Sequence, residues 1–195
     1  MKLCVFQGTF NPIHSVHIKV AKFAKEYYKF DNILFIPAFI PPHKNVDKDL
    51  ANHRFNMVKL AISDFDFFKI SDIEYKRNEN SYTYNTIKEL YKIYDIEGKI
   101  NFIIGTDAFL NIESWYEANK LKDLVHFIVF KRTNDFNESD FDFLKDKNYD
   151  FEFAPMQYID ISSTKLRENI HRGTSIKNME LPVVREYIKK NGLYK

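Results

Sequence analysis

The stretch Lys2-Leu3-Cys4-Val5-Phe6-Gln7-Gly8-Thr9-Phe10-Asn11-Pro12-Ile13-His14-Ser15-Val16-His17 decides the fold. A mostly apolar run meets a Gly-containing turn, then two histidines three residues apart, then a segment with helical periodicity. The order is strand, loop, helix. Such a loop delivers backbone N–H groups and two imidazoles to the C-terminal edge of a sheet, beside a helix N-terminus whose unpaired amides favour anions. It reads as a place for nucleotide phosphates.

Working outward, Val20, Phe23, Ala24 and Tyr27 fall at i, i+3, i+4 and i+7, which predicts an amphipathic helix over residues 15–29. Asn32-Ile33-Leu34-Phe35-Ile36 is a short apolar strand ended by Pro37. Strand, helix and strand make a right-handed βαβ unit with parallel strands, and open sheets of this kind bind ligands outside the carboxyl ends of their strands. The opening loop lies at that edge. The expected fold is therefore α/β, a Rossmann-like parallel sheet with helices on both faces, in a single domain spanning 1–195.

Further along, residues 37–52 form a long Pro-rich connection of the kind that is usually functional. A helix over 53–63 with Met57, Leu60 and Ala61 on one face leads to a strand at Phe67-Phe68-Lys69-Ile70, and Ile73-Glu74-Tyr75-Lys76 reads as its extension or an edge piece. A helix with Ile87, Leu90, Tyr91 and Tyr94 on one face follows Ser81-Tyr82-Thr83 and closes at Gly98. Next, the buried-looking strand Lys99–Ile104 runs into Gly105-Thr106-Asp107, which puts Gly105 and Asp107 on the ligand edge. A helical stretch containing Trp115-Tyr116 precedes the strand Val125–Phe130. Residues 131–150 read as a surface excursion with a short helix around 139–145, and Phe151-Glu152-Phe153 and Gln157-Tyr158-Ile159 as short strands. In Asp160-Ile161-Ser162-Ser163-Thr164-Lys165-Leu166-Arg167, Ser162 or Ser163 suits an N-cap, and a last helix runs from Pro182 to a Gly192 cap.

Composition excludes several classes. A formal charge of +2 is too small to argue for nucleic acid or an anionic membrane as partner, so any phosphate preference is local. The single cysteine, Cys4, lies inside the first apolar run, so an internal disulfide is impossible. The chain enters a strand at once, without a signal-type stretch, and no apolar run approaches the length of a bilayer span. A cytoplasmic protein is expected, with no membrane partner and with homo-oligomerisation left open.

His14 and His17, at i and i+3, share one face of a helix start, where imidazoles can bond phosphate oxygens or join a metal site. With Cys4 in a strand, the supply of further zinc ligands is thin, and the Gly8-Thr9-Phe10 turn favours phosphate. Ser162, Ser163, Thr164 and Arg167 set hydroxyls, helix amides and a guanidinium within about one turn, as a polyphosphate requires; plain N-capping beside a solvated Arg explains them equally well. Lys44, following Pro41-Pro42-His43, Asp107 and Trp115 each have an ordinary reading as solvated cation, helix cap and core aromatic. No carboxylate pair, Ser/His/Asp set or GxxxxGK[ST] loop emerges, which argues against glycosidase, esterase and P-loop ATPase.

Gly8-Thr9-Phe10-Asn11-Pro12-Ile13-His14-Ser15-Val16-His17 resembles the GTFDPxHxGH signature of a nucleotidyltransferase superfamily, and Ile161-Ser162-Ser163-Thr164-Lys165-Leu166-Arg167 resembles its second signature, ISSTxIR. The segments Pro41–Lys44, Ser81–Thr83, Ile103–Asp107, Trp115-Tyr116 and Tyr187–Tyr194 are similar to the bacterial nicotinate-nucleotide adenylyltransferase family. Gln7, Asn11 and Val16 depart from the usual Gly, Asp and Gly, and Val16 either packs inward with Val20 or narrows the pocket.

That resemblance implies adenylyl transfer from ATP to nicotinate mononucleotide, with Mg²⁺ accompanying ATP and no protein-bound metal. It implies His14, His17 and Arg167 as catalytic residues, and Gly8, Thr9, Phe10, Gly105, Asp107, Ile161, Ser162, Ser163 and Thr164 as further ATP contacts. Lys44, Tyr82, Thr83, Trp115 and Tyr116 would meet the pyridine nucleotide. Nicotinamide mononucleotide or another phosphorylated acceptor is the alternative substrate; for phosphopantetheine the family usually has Thr at the position of His14. A non-catalytic nucleotide sensor is the alternative from another class.

Overall fold

The computed structural model describes residues 2–42, 47–177 and 179–195. Its centre is a six-stranded sheet in the order β3-β2-β1-β4-β5-β6. The strands are β1 (Cys4–Gly8), β2 (Ile33–Pro37), β3 (Phe68–Ile70), β4 (Ile100–Gly105), β5 (Val125–Phe130) and β6 (Phe151–Phe153), and every pairing is parallel. Side chains alternate across a strand, so successive residues enter two different cores. Leu3, Val5, Leu34, Ile36, Phe102, Ile104, Phe127 and Val129 pack on one face. Cys4, Ile33, Phe35, Ile103, Ile128 and Phe130 pack on the other. Both faces being covered is what makes these strands read as continuous apolar runs rather than alternating ones.

The Cys4 face is covered by α1 (Ser15–Tyr27), α2 (Ala51–Ile62) and α9 (Pro182–Asn191) through Ala21, Ala24, Met57, Val58, Val184 and Ile188, with α8 (Ser163–His171) alongside. The opposite face takes Ile73 of α3 (Ile73–Arg77), Ile87 and Leu90 of α4 (Thr83–Ile93), Phe109 of α5 (Thr106–Phe109), Leu121 of α6 (Ala118–Leu124) and Leu144 of α7 (Asp142–Asp146). Among the described residues no helix is long and apolar enough to cross a membrane.

Several expectations are corrected. Ile73–Lys76 is not strand but α3, because Glu74 finds hydrogen-bond partners inside the protein and can bury next to Ile73. Trp115 and Tyr116 lie in a turn between the 3₁₀ segment Ile112–Ser114 and α6, with Glu117 in the left-handed region opening that helix. Gln157–Ile159 pairs with no strand. Helix α1 stops two residues early, before Lys29 at φ 57, and leaves Tyr27 exposed. In α2 the buried face uses Val58 with Met57 and Ala61, while Leu60 faces solvent.

The strand order reverses between β1 and β4, the crevice where open parallel sheets bind ligands. Gly8 ends β1 and Gly105 ends β4, so both glycines sit at that crevice.

Candidate active site

The ring of Phe10 folds back over Gly8: a Cβ there would stand 3.0 Å from the ring, so Phe10 would have to give by a few tenths of an ångström. Phe10 has φ 47, a left-handed conformation that bulky residues adopt only under strain. The turn is held from outside. Arg54, wholly buried on α2, donates to the carbonyls of Thr9 (2.9 Å), Ala38 and Phe39 (2.8 Å), tying the β1–α1 turn to the segment after β2.

The second motif locks onto the first across some 150 residues of sequence. Ser163 Oγ donates to the Pro12 carbonyl at 2.9 Å. Arg167 Nη1 donates to the Asn11 carbonyl at 2.7 Å. Ser162 caps α8, its Oγ accepting from the Lys165 N–H at 3.2 Å, as expected of an N-cap serine. The orphan amides at the start of α8 thus face the Gly8–Asn11 turn, with Arg167 beside them.

His17 accepts a hydrogen bond at Nδ1 from the His14 backbone N–H, 3.1 Å away. The ring proton of neutral His17 therefore sits on Nε2, making that atom a donor. His14 lies beneath, wholly buried, its ring 3.7 Å from that of His17 by centroids. Among the described residues neither ring nitrogen of His14 has a hydrogen-bond partner, a rare condition for buried polar atoms. Burial, with a smaller push from the Arg132 charge, lowers its pKa to about 3 and keeps it neutral.

That shift predicts a pH effect. Above about pH 6.5 the ring is neutral folded or unfolded and contributes no pH dependence; below it the unfolded chain takes up a proton that the folded one refuses until about 3. His14 should therefore cost about 1.4 kcal/mol of stability per pH unit as pH falls from 6 to 4. Urea unfolding across that range should show the His14→Gln variant with a flatter profile than the parent; equal slopes would refute the assignment.

Two cavities open on the crevice. One, of about 840 Å³, is bordered by Gly8, Thr9, Phe10, His17, Ser162, Ser163, Thr164 and Arg167. The other, of about 490 Å³, is bordered by Tyr82, Thr83, Trp115 and Tyr116. Gly8, Thr9, Gly105 and Asp107 border both. Of the sequence-derived candidates, His14 and Ile161 border neither cavity: His14 is sealed under His17, and Ile161 packs against the core. Lys44 lies outside the described residues. Val16 does both things open to it, packing into the core while bordering the larger cavity.

The structure adds residues that sequence reading missed. Lys131 and Arg132 follow β5 directly and border the larger cavity. The edge rule that picked out Gly105 and Asp107 applies to them equally. Arg132 Nε stands 3.7 Å from Asp107, and its stem lies over Gly105, where a Cβ would come within 2.8 Å of Arg132 Cγ. Gln7 and Tyr194 also border this cavity; the sequence marked Gln7 only as a departure from the first signature and Tyr194 only as the end of a similar segment, and placed neither in the site. Gln7 Nε2 donates to Glu74 at 2.6 Å, and buried Glu74 also accepts from Thr86 Oγ1 at 2.6 Å. Burial raises the Glu74 pKa, against the pull of Ser81 and Thr86.

A parallel sheet in this order, with two interlocked motifs and joined cavities over its reversal, defines a nucleotide-binding α/β protein of the nucleotidyltransferase type. Residues 5–169 match the cytidylyltransferase-like family. A probable nicotinate-nucleotide adenylyltransferase of Caldicellulosiruptor saccharolyticus is 39% identical, covering 100% of each chain. One of a Hydrogenobaculum species is 40% identical, covering 100% of this chain and 98% of its own. Among solved structures, Plasmodium falciparum nicotinic acid mononucleotide adenylyltransferase complexed with NaAD superposes with a TM-score of 0.83 at 24% identity, covering 99% of this chain and 97% of that one. The chain belongs to the cytidylyltransferase-like family and, within it, to the nicotinate-nucleotide adenylyltransferases.

Proposed function

We propose that this protein transfers the adenylyl group of ATP to nicotinate mononucleotide, giving nicotinate adenine dinucleotide and pyrophosphate in NAD biosynthesis. The observation that carries this reading is the pair of cavities sharing Gly8, Thr9, Gly105 and Asp107, space for two nucleotides whose phosphates meet over the ends of β1 and β4. The 5′-phosphate oxygen of nicotinate mononucleotide forms a bond to the α-phosphorus of ATP, the α–β phosphoanhydride bond breaks, and pyrophosphate leaves with the electron pair. Such a step needs positioning and charge stabilisation rather than a protein nucleophile.

In this reading His17 Nε2–H donates to the reacting phosphate. His14, neutral and sealed beneath His17, backs that ring by packing against it rather than touching the phosphates. Arg167, Ser162, Ser163, Thr164 and the first amides of α8 hold the β- and γ-phosphates, and Arg132 adds charge on the same wall. Gly105 and Asp107 take the ribose side, with Gly8, Thr9 and Phe10 beneath the triphosphate. In the smaller cavity the pyridine ring stacks on Trp115, and first-turn amides of α4 near Tyr82 and Thr83 bond the nicotinate carboxylate, with Tyr116 at the mouth. ATP comes with a divalent cation, Mg²⁺ in our reading. The described residues contain no group of three or more His, Cys, Asp or Glu that could cage a metal. That donor set suits a cation carried on phosphate oxygens and water. A cytoplasmic setting is part of this reading.

Purified protein with ATP, Mg²⁺ and nicotinate mononucleotide is expected to release pyrophosphate, and faster than with nicotinamide mononucleotide. Binding of ATP without release, for every acceptor tried, would favour the sensor reading instead. Within the enzyme, Trp115→Ala is expected to raise KM for nicotinate mononucleotide about 5- to 100-fold, the worth of one ring stack, and to leave KM for ATP within twofold. Equal changes in both constants would mean that the smaller cavity is not the acceptor pocket.

A further inference from the structure

We infer that Tyr194 is a positioning residue for ATP, acting through Asn11 on the grip of Arg167; the inference rests on the reading that Arg167 holds ATP phosphates. The segment after α9 is fixed in place. Gly192, at φ 64, caps the helix, and Leu193 is buried in the core with its N–H on the Ile188 carbonyl at 3.1 Å. Tyr194 then adopts φ 62, a conformation that costs a non-glycine residue energy and persists only where its surroundings impose it.

What this conformation achieves is a contact with the first motif. Tyr194 Oη donates to Asn11 Oδ1 at 2.6 Å, and the Tyr194 side chain borders the larger cavity. Asn11 in turn offers its backbone carbonyl to Arg167 Nη1 at 2.7 Å, so one residue is held from one side by the tail and holds the arginine from the other. The departure of Asn11 from the usual Asp then has a consequence. An amide oxygen accepts the Tyr194 hydroxyl without placing a carboxylate beside Arg167, whose charge stays available to an anion. Tyr194 remains a protonated donor, since burial raises its pKa against the opposing charges of Arg167 and Arg54.

The test is steady-state kinetics of pyrophosphate release with both substrates varied, alongside thermal unfolding. Tyr194→Phe keeps the ring and removes the donor. KM for ATP is expected to rise about five- to tenfold, the worth of one neutral hydrogen bond, with KM for nicotinate mononucleotide within twofold. Adding Asn11→Ala to Tyr194→Phe is expected to raise KM for ATP no more than twofold above the worse single variant, because both changes break the same link. Effects that multiply instead would overturn the inference, as would an unchanged KM for ATP in Tyr194→Phe. A parallel rise in both KM values with a lowered Tm would assign Tyr194 a purely structural role and also overturn it. Failure of the parent to release pyrophosphate would count against the functional reading itself, which separates the two.

Discussion

The His17→Asn variant is expected to lose about 10²- to 10³-fold in kcat while keeping its Tm. Asparagine reproduces the acceptor that His17 Nδ1 presents to the His14 N–H, so the start of α1 stays capped and the turn keeps its shape. What it lacks is the Nε2–H on the far side of the ring. Removing one preorganised donor to a charge that develops in the transition state costs about this much in other enzymes. Because the loss falls on the transition state, KM for ATP should change far less than kcat. His17→Ala should lose at least as much activity and some stability besides, since the ring also packs against Phe6, Phe10 and His14. Turnover within tenfold of the parent in His17→Asn would mean the reacting phosphate lies elsewhere.

The features legible in the sequence are those with local causes. The opening strand–loop–helix, the strand Val125–Phe130, the Ser162 cap and the Pro182–Gly192 helix are each written into a few adjacent residues, and the structure has them at or near the expected positions. The two motifs were readable separately. Their mutual lock is not readable, because Ser163 and Arg167 bind backbone carbonyls, and any residue can supply a carbonyl. Ile73–Lys76 failed for a related reason: apolar and polar residues alternate there as in a strand, and the donors that let Glu74 bury in a helix, among them Gln7, the Phe39 N–H and Thr86, are remote in sequence. His14 and His17 share a spacing but not a fate. Periodicity gives a face; it does not say that the second ring will cover the first.

Arg54 belongs to the same hidden class, and its replacement should have the second large effect. It is a wholly buried guanidinium with no ion-pair partner within 4 Å among the described residues; Glu74 acts on it only through space. Its charge is spread instead over three carbonyls from two segments, Thr9 on one side and Ala38 and Phe39 on the other. Arg54→Met returns most of the volume and relieves the burial of a charge, yet leaves those carbonyls without their donor at about 1–3 kcal/mol each. With the relief set against the loss, the net destabilisation should be about 3 kcal/mol, seen as a fall in Tm of about 6–12 °C for a chain of this size. Arg54→Lys should recover only part of it, because a single ammonium lacks the planar fork that serves both segments. The kinetic signature should also differ from the other variants. Thr9 borders both cavities and Ala38 borders the smaller one, so loosening them should raise KM for ATP and for nicotinate mononucleotide together. Selective loss of one substrate, or a Tm within 2 °C of the parent, would show that the β1–α1 turn holds its strained shape without the arginine.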